Sequence, residues 1–435
     1  MRKYLTIWVG EVASTVGSAL TSFALGVWIL EKTDSVSLFS LNLLLYAVCG
    51  LLVMPFAGVA ADRWDRKTVI ILGDAGAGLN SLVVFWLATS NQLEIWHVYI
   101  LTGIGSALGM FQWPAYKAMI PMLVPAKQLG RASALSQVGD ALAELLGPTI
   151  AGALYVMSGI GLRGILFIDF GTFLLATAIL IFMPIPRHIP AIPDSKTHHS
   201  VIDDLRAGWQ YIAQYPGLLG LLVYFVIFNF FLELIYPLAL PLIFRIAEPD
   251  AAGQAMSKMA AGMFVGIAIM GIWGGPKRRI HAILIPGILS GLSIALAGLR
   301  PSLTLITVGG FGYYALLPII QGADEALWQS KVVPHMQGRV LAIRSAISYS
   351  VRPVTLLLAG PLADHVFEPL MSESGALAGS VGEIFGVGPG RGVGLLITVL
   401  GLLSSVAAFT VYLHPQVRNV EEEMPDALIL EGKIL

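Results

Sequence analysis

The decapeptide GVAADRWDRK, residues 58–67, carries five charged side chains between two apolar runs at 36–60 and 69–89. Each run is long enough to cross a bilayer as a helix, which needs about 20 mostly apolar residues. Charged side chains are costly in hydrocarbon, so the decapeptide predicts a short loop at the membrane surface. These residues therefore predict two membrane-spanning helices joined by a charged turn.

The same alternation extends along the whole chain of 435 residues, which is 56% hydrophobic and only 12% charged. A soluble domain carries about twice that charged fraction. Helices satisfy all their backbone hydrogen bonds internally, so they are the structure expected for separate apolar segments in lipid. We therefore predict an all-α membrane protein with twelve transmembrane helices. The spanning segments are 5–30, 36–60, 69–89, 96–119, 132–157, 163–183, 217–244, 254–273, 281–299, 302–322, 340–363 and 392–413.

A polar stretch divides these segments into six and six, which suggests two related halves. A short echo supports a repeat, because residues 124–131 (VPAKQLGR) resemble residues 333–339 (VPHMQGR). Internal repeats of this kind are common in secondary transporters. The predicted domains are an N-terminal six-helix bundle at 1–185, a cytoplasmic linker at 186–212, a C-terminal six-helix bundle at 213–415 and a cytoplasmic tail at 416–435.

Lys and Arg are shared unevenly between the predicted loops. They cluster at 63–67, in the linker and at 277–279, whereas the loops on the other side hold isolated basic residues. Cytoplasmic loops carry the excess of Lys and Arg in membrane proteins. We therefore predict a multi-pass protein of the cell (inner) membrane with both termini in the cytoplasm.

Composition also argues against several other functions. The formal net charge of -1 argues against nucleic-acid binding, which requires clustered Lys and Arg. We find no nucleotide-hydrolysing signature, no metal-ligand spacing and no nucleophile–base pair in the predicted spans. We therefore predict no enzymatic activity, no cofactor and no metal. The expected partners are a small-molecule substrate, protons and membrane lipid, for a chain that acts as a monomer.

The fifth predicted span carries polar residues on one face. Gln137, Asp140 and Glu144 follow one another at three- or four-residue steps. Each buried acid costs about 2.5–3.5 kcal/mol on insertion scales, and two neighbouring carboxylates do not easily both ionise. Asp140 and Glu144 are therefore candidates for proton coupling or substrate binding. The alternative is that both only pair with a cation such as Arg352.

Three further spans carry polar stripes, with Glu11 on the first, Asn229 and Glu233 on the seventh, and Arg352 on the eleventh. Such stripes can be solvated only by a wet cavity or by one another. We therefore expect them to surround one central passage. Arg352, the one Arg that we place near mid-membrane, is the candidate partner of Glu11, Glu233 or the acids of the fifth span. For each residue taken singly, structural pairing is the alternative.

Two other acids, Asp74 in the third span and Asp169 in the sixth, are expected near the membrane boundaries in structural roles. Residues 73–78 (GDAGAG) are rich in small side chains. Small residues allow helices to approach closely, so this segment is expected to pack against a neighbouring helix.

Residues 58–67 resemble the loop 2–3 signature of the major facilitator superfamily, with Asp65 in place of the usual second glycine. In that family the signature lies between the second and third helices, as it does here. The resemblance implies that a charge cluster gates the cytoplasmic side; a role in setting topology alone is the alternative. The implied gating residues are Gly58, Asp62, Arg63, Arg66 and Lys67.

Residues 146–152 (LGPTIAG) are similar to the Gly-Pro element of helix 5 in exporters of that superfamily, with Ala151 replacing one glycine. The resemblance assigns Gly147, Pro148 and Gly152 to this element, and an ordinary packing kink is the alternative. Nearly the whole chain resembles the drug:proton antiporter branch, which includes macrolide-efflux and enterobactin-export proteins.

This resemblance implies the major facilitator fold, in which twelve helices form two pseudo-symmetric six-helix bundles. It also implies secondary active transport by alternating access. The expected activity is proton-coupled efflux of small amphipathic compounds, such as drugs, macrolides or siderophore-like metabolites. The alternatives are an importer or lysophospholipid flippase of the same fold, or a non-transporting membrane sensor.

Overall fold

The structure is a computed structural model that describes residues 1–124, 129–157, 159–184, 201–273 and 278–424. These residues are nearly all helical, and no strand occurs among them. Within the helices some side chains are not described, namely those of residues 2, 54–63, 113–114, 117–118, 121, 129–131, 133–134, 137, 140, 201–204, 271, 273, 334–335, 338, 342 and 349.

Six long helices occupy the first part of the chain. Local capping explains two of their starts: the Asp65 side chain caps the third helix, and Glu94 forms a capping box with His97 at the fourth. The six helices are α1 Arg2–Thr33, α2 Val36–Arg63, α3 Arg66–Thr89, α4 Ile95–Leu123, α5 Leu129–Val156 and α6 Gly161–Phe182.

The remaining described chain begins with a short helix in the predicted linker and continues with the C-terminal spans. These helices are α7 Val201–Gln214, α8 Pro216–Phe244, α9 Pro249–Trp273, α10 Arg279–Gly298, α11 Leu303–Lys331, α12 Pro334–Tyr349, α13 Arg352–Pro361, α14 Glu368–Leu370, α15 Val381–Phe385, α16 Arg391–Leu413, α17 Pro415–Arg418 and α18 Val420–Glu423.

Every one of the twelve predicted segments coincides with helical structure, so the predicted all-α class is confirmed. Within the described ranges, nine stretches are long and apolar enough to span a membrane. Large apolar side chains face outward, and Phe182 and Ile272 are 85% and 90% exposed. Such outward apolar surface is expected where lipid rather than water is the solvent.

The eleventh predicted span differs from an uninterrupted helix. α12 ends at Tyr349, and α13 begins at Arg352 and continues into a π-helical turn at Leu362–Phe367. Proline has no backbone N–H, so Pro353 cannot donate to the carbonyl of Tyr349 four residues earlier. The missing hydrogen bond coincides with the end of α12.

The chain forms two compact units, Met1–Pro193 with Ala247–Ser257, and Asp194–Ile246 with Lys258–Leu435. In the first unit α1 packs on α5 and α6, α3 packs on α4 and α6, and α2 packs on α4. In the second unit α10 packs on α11 and α16, while α8 packs on α13 and α16. The predicted domain limits remain a prediction.

Candidate functional site

Glu11 lies in a polar cluster inside the first unit. The Gln112 side-chain amide on α4 donates to Asp74 Oδ1 on α3 at 2.6 Å and to Glu11 Oε2 on α1 at 3.5 Å. Asp74 is fully buried, and Glu11 is partly buried. One amide therefore joins two carboxyl groups that come from different helices.

Asp74 lies in a closely packed part of α3. It is the ninth residue of α3, about two turns inside the helix. A Cβ at Gly73 would lie 3.1 Å from Gln112 Cβ, and one at Gly76 would lie 2.9 Å from a methyl group of Leu108. The expected close packing of this segment is confirmed, and it brings Asp74 to Gln112.

Asp169 has the structural surroundings that were expected for it. Its Oδ2 accepts hydrogen bonds from Thr21 on α1 and from Ser81 on α3, each at 2.8 Å. The residue is the ninth of α6 and is buried. It joins three helices of the first unit.

Glu233 and Arg352 meet in the second unit. Arg352 Nε lies 3.2 Å from Glu233 Oε2, an ion pair that lacks the alignment of a hydrogen bond. Asn229 Nδ2 donates to the Ser348 carbonyl at 3.3 Å. The last carbonyls of a helix have no partner within it, so Asn229 satisfies one of them beside the break after α12.

The second unit also contains a buried pair that the sequence reasoning missed. Arg344 on α12 forms an ion pair and hydrogen bond with Asp324 on α11, and Asp324 is only 2% exposed. The guanidinium also lies 5.2 Å from the ring centroid of Trp328 and 5.9 Å from that of Phe225. Sequence analysis singled out Arg352 and passed over Arg344. Arg344 follows Asp324 by 20 residues in the sequence, a separation without any helical periodicity that would point to the pair.

Of the candidate residues Gln137, Asp140 and Glu144 on α5, only Glu144 has a described side chain. Glu144 is exposed, unlike Glu11 and Asp74. The side chains of Gln137 and Asp140 lie outside the described residues. The cluster around Glu11 belongs to the first unit and the Glu233–Arg352 pair to the second.

The charged turn between α2 and α3 is described only in its second half. Lys67 Nζ donates to the carbonyls of Ile181 and Met183 at 3.0 and 2.9 Å, where a cation suits the C-terminal end of α6. Arg66 Nη1 lies 3.4 Å from Met122 Sδ. The side chains of Gly58, Asp62 and Arg63 lie outside the described residues.

Asp65, which departs from the family signature, begins α3. Its Oδ2 accepts from the backbone N–H of Thr68 at 3.1 Å and from the Thr68 hydroxyl at 3.0 Å. Asp is among the preferred N-cap residues because its carboxylate satisfies a free N–H of the first turn. The departure therefore supplies the cap of the helix that follows the turn.

The Gly-Pro element of α5 packs against two helices of the first unit. A Cβ at Gly147 would lie 2.6 Å from Ala19 Cβ on α1, and one at Gly152 would clash with the Pro249 carbonyl oxygen. Thr149 Oγ1 donates to the Gly253 carbonyl at 3.4 Å. Gly147 and Gly152 thus allow close approach to α1 and to the start of α9, where a larger side chain would clash, and the Pro148 carbonyl lies against Gly253.

No group of three or more His, Cys, Asp or Glu residues that could hold a metal ion occurs within residues 1–124, 129–157, 159–184, 201–273 and 278–424. The polar clusters described above consist of carboxyl, amide, guanidinium and hydroxyl groups. Their chemistry is hydrogen bonding, ion pairing and proton binding.

Comparison with known proteins identifies the family. The protein-family model described as Major Facilitator Superfamily matches residues 7–356 of this chain. Macrolide efflux protein A of Streptococcus pyogenes is 28% identical over 383 residues, which are 84% of this chain and 90% of that protein. The multidrug efflux pump Tap of Mycobacterium bovis is 26% identical, over 71% of this chain and 74% of that protein.

Solved transporters share the fold at low sequence identity. A bacterial homologue of the human lysosomal transporter Spinster aligns with a TM-score of 0.69 at 15% identity, over 97% of this chain and 98% of its own. A D-xylose–proton symporter aligns with a TM-score of 0.66 at 13% identity, over 94% and 97%. The predicted fold of twelve helices in two six-helix bundles is therefore confirmed, and the protein is a transporter rather than an enzyme. The chain belongs to the major facilitator superfamily.

Proposed function

We propose that this protein exports small amphipathic compounds, such as drugs, macrolides or siderophore-like metabolites, in exchange for protons. The observation that carries the proposal is the similarity to macrolide and multidrug efflux proteins, which extends over 71–84% of the chain. The transporter acts as a monomer in the cell (inner) membrane, with both termini in the cytoplasm, in agreement with the distribution of Lys and Arg.

Protons enter the mechanism through the acids of the first unit. Glu11 is partly buried and has one oxygen, Oε1, without a hydrogen-bond partner. A carboxylate in such surroundings is costly, whereas a protonated one is not. Binding a proton at Glu11 therefore changes the charge of the unit, and this change is coupled to substrate release during alternating access.

The other predicted residues complete the proposal. Asp140 and Glu144 are further proton or substrate groups on α5, and the Glu233–Arg352 pair binds polar parts of the substrate. The turn after α2 gates the cytoplasmic side. The proposed cavity residues are Glu11, Gln137, Asp140, Glu144, Asn229, Glu233 and Arg352; the gating residues are Gly58, Asp62, Arg63, Arg66 and Lys67.

Transport in proteoliposomes tests the proposal. With an acidic lumen, protons that leave through the protein should drive a labelled macrolide into the vesicles. Glu11→Gln cannot carry the proton, and its uptake should fall to that of empty vesicles. Glu373→Gln, which makes the same chemical change in an exposed loop, should transport normally.

Three results would contradict the proposal. Macrolide uptake that does not depend on the pH gradient would exclude proton coupling. Normal uptake by Glu11→Gln would exclude Glu11 as the group that binds the coupling proton. Movement of lysophospholipid but of no macrolide or other drug would instead identify a lipid flippase of the same fold.

A further inference from the structure

Among the described side chains, the carboxyl groups of Glu11 and Asp74 offer more acceptors than the amide of Gln112 offers donors. Gln112 supplies one NH₂ group, which serves one oxygen of each acid. Glu11 Oε1 and Asp74 Oδ2 are both buried without a hydrogen-bond partner. Asp74 is 0% exposed, so water does not reach its free oxygen from the surface. Two carboxylates and one neutral amide thus share a site of low polarity.

The described neighbours do not neutralise this charge. Tyr116 on α4 interacts electrostatically with Glu11 and with Tyr4 of α1, and Tyr4 already donates to the Ala132 carbonyl of α5 at 2.7 Å. On α6, Asp169 is an acid whose Oδ2 accepts from Thr21 and Ser81, so it supplies no positive charge. None of the described side chains that act on Glu11 is a cation. Two unpaired negative charges at this depth are strongly unfavourable.

We propose that Glu11 and Asp74 hold one proton between them and that Gln112 is the residue that positions the pair. The sharing of the proton is independent of the proposed efflux, but its use in coupling rests on that proposed function. A proton on either acid leaves one negative charge instead of two, and converts one unpartnered oxygen into a hydroxyl donor.

The two hydrogen bonds of Gln112 indicate where the charge lies in this arrangement. Hydrogen bonds to an ionised acceptor are shorter than bonds to a neutral one. The bond to Asp74 is 2.6 Å and the bond to Glu11 is 3.5 Å, so Gln112 stabilises a negative charge on Asp74 better than one on Glu11. Glu11 is also the more accessible acid. The proton therefore enters and leaves through Glu11, while Asp74 acts on it from within the helix bundle.

Infrared spectroscopy of the reconstituted protein tests this pair without any substrate. The C=O band of a protonated carboxyl group is followed as the pH is raised, and Glu11→Gln identifies the band of Glu11. In Asp74→Asn the negative neighbour is gone, so the Glu11 band should disappear at a lower pH than in the parent. In Gln112→Leu the ionised carboxyl groups lose the amide that donates to them, so the Glu11 band should persist to a higher pH.

Asp169→Asn is the matched control, because it neutralises a buried acid of the same unit that has its own two donors. It should leave the titration of the Glu11 band unchanged. A Glu11 band that titrates alike in the parent, Asp74→Asn and Gln112→Leu would overturn the pair. If either variant does not fold, the other still decides the question.

The transport assay separates this inference from the proposed function. If the pH at which the Glu11 band disappears shifts in the two variants but the parent protein moves no macrolide, the shared proton is supported and proton-driven efflux of macrolides is refuted. If the parent protein carries out proton-driven efflux but the Glu11 band titrates alike in the parent and the variants, only the shared proton is refuted.

Discussion

Asp324 and Arg344 illustrate how much one buried charge depends on its partner. The carboxylate is 2% exposed, and the Arg344 side chain is 19% exposed and lies against the rings of Trp328 and Phe225. Burial removes the solvation of both charges, so each is tolerated only through the other and through the surrounding ring faces. The pair therefore ties α11 to α12 at a specific register.

Replacing Arg344 should show how strongly the stability of the protein depends on this ion pair. Arg344→Met leaves Asp324 buried and uncompensated, which typically costs about 3–5 kcal/mol of stability. The double variant Arg344→Met with Asp324→Asn removes both charges and should recover a large part of the loss. Thermal unfolding in detergent, followed by tryptophan fluorescence, measures both effects.

The exposed pair of Arg278 and Glu422 is the control. Its side chains are 53% and 55% exposed, and such pairs contribute about 0–1 kcal/mol. Arg278→Met should therefore melt close to the parent protein. An equal loss of stability in Arg278→Met and Arg344→Met would contradict the special role of the buried pair.

Between elements, the contact of α5 with the start of α9 depends on the absence of side chains. A Cβ at Gly253 would clash with the Pro148 carbonyl oxygen, and Pro148 lies inside α5. Ser257 hydroxyl donates to the Leu145 carbonyl in the same contact. Backbone atoms cannot yield as a flexible side chain can, so the two helices would have to separate to admit a methyl group.

Gly253→Ala should therefore destabilise the protein and reduce transport, although Ala is the better helix former by about 1 kcal/mol. Gly109→Ala on α4 and Gly171→Ala on α6 are matched controls, since a Cβ at either position meets nothing within 4 Å. Melting temperature and macrolide uptake are measured for all three. The close contact would be refuted if Gly253→Ala gained stability as the controls do.

The break between α12 and α13 could be anticipated from Pro353. The group that bonds the free carbonyl of Ser348 at this break could not. The sequence predicted one apolar span at 340–363, and the composition of that stretch allows a spanning length. The structure adds the hydrogen bond from Asn229 to the Ser348 carbonyl. Asn229 lies 119 residues before Ser348, so only the packing of α8 beside this break provides the donor.

At the scale of the whole chain, the predicted cytoplasmic tail is partly packed structure. Val417 on α17, Val420 on α18 and Met424 directly after α18 are buried in the core of the second unit. Lys331 Nζ donates to the carbonyls of Glu421, at 2.9 Å, and Met424. Glu421 Oε2 in turn accepts from the backbone N–H of Ile280, near the start of α10, at 2.9 Å.

Removing the chain after His414 should therefore destabilise the second unit. It exposes the apolar groups that α17 and α18 cover and leaves Lys331, which is 4% exposed, without its two carbonyl acceptors. A lower melting temperature in detergent is the expected result. Arg418→Gln, an exposed change in the same segment, should melt as the parent does, and a truncated protein with the parent's melting temperature would contradict the packing.

The sequence by itself determined the class of protein, the positions of its helices and its family resemblance. Spanning length, low charge and the motif at 58–67 are properties of contiguous residues, and the solvent that lipid provides acts on each segment separately. Tertiary structure alone decided which buried charges meet. Gln112 lies 101 residues from Glu11 and 38 from Asp74, and their contact depends on which helix faces adjoin. That choice follows from small residues such as Gly73 and from side-chain fit across helices, whereas periodicity along one helix reports only its own face.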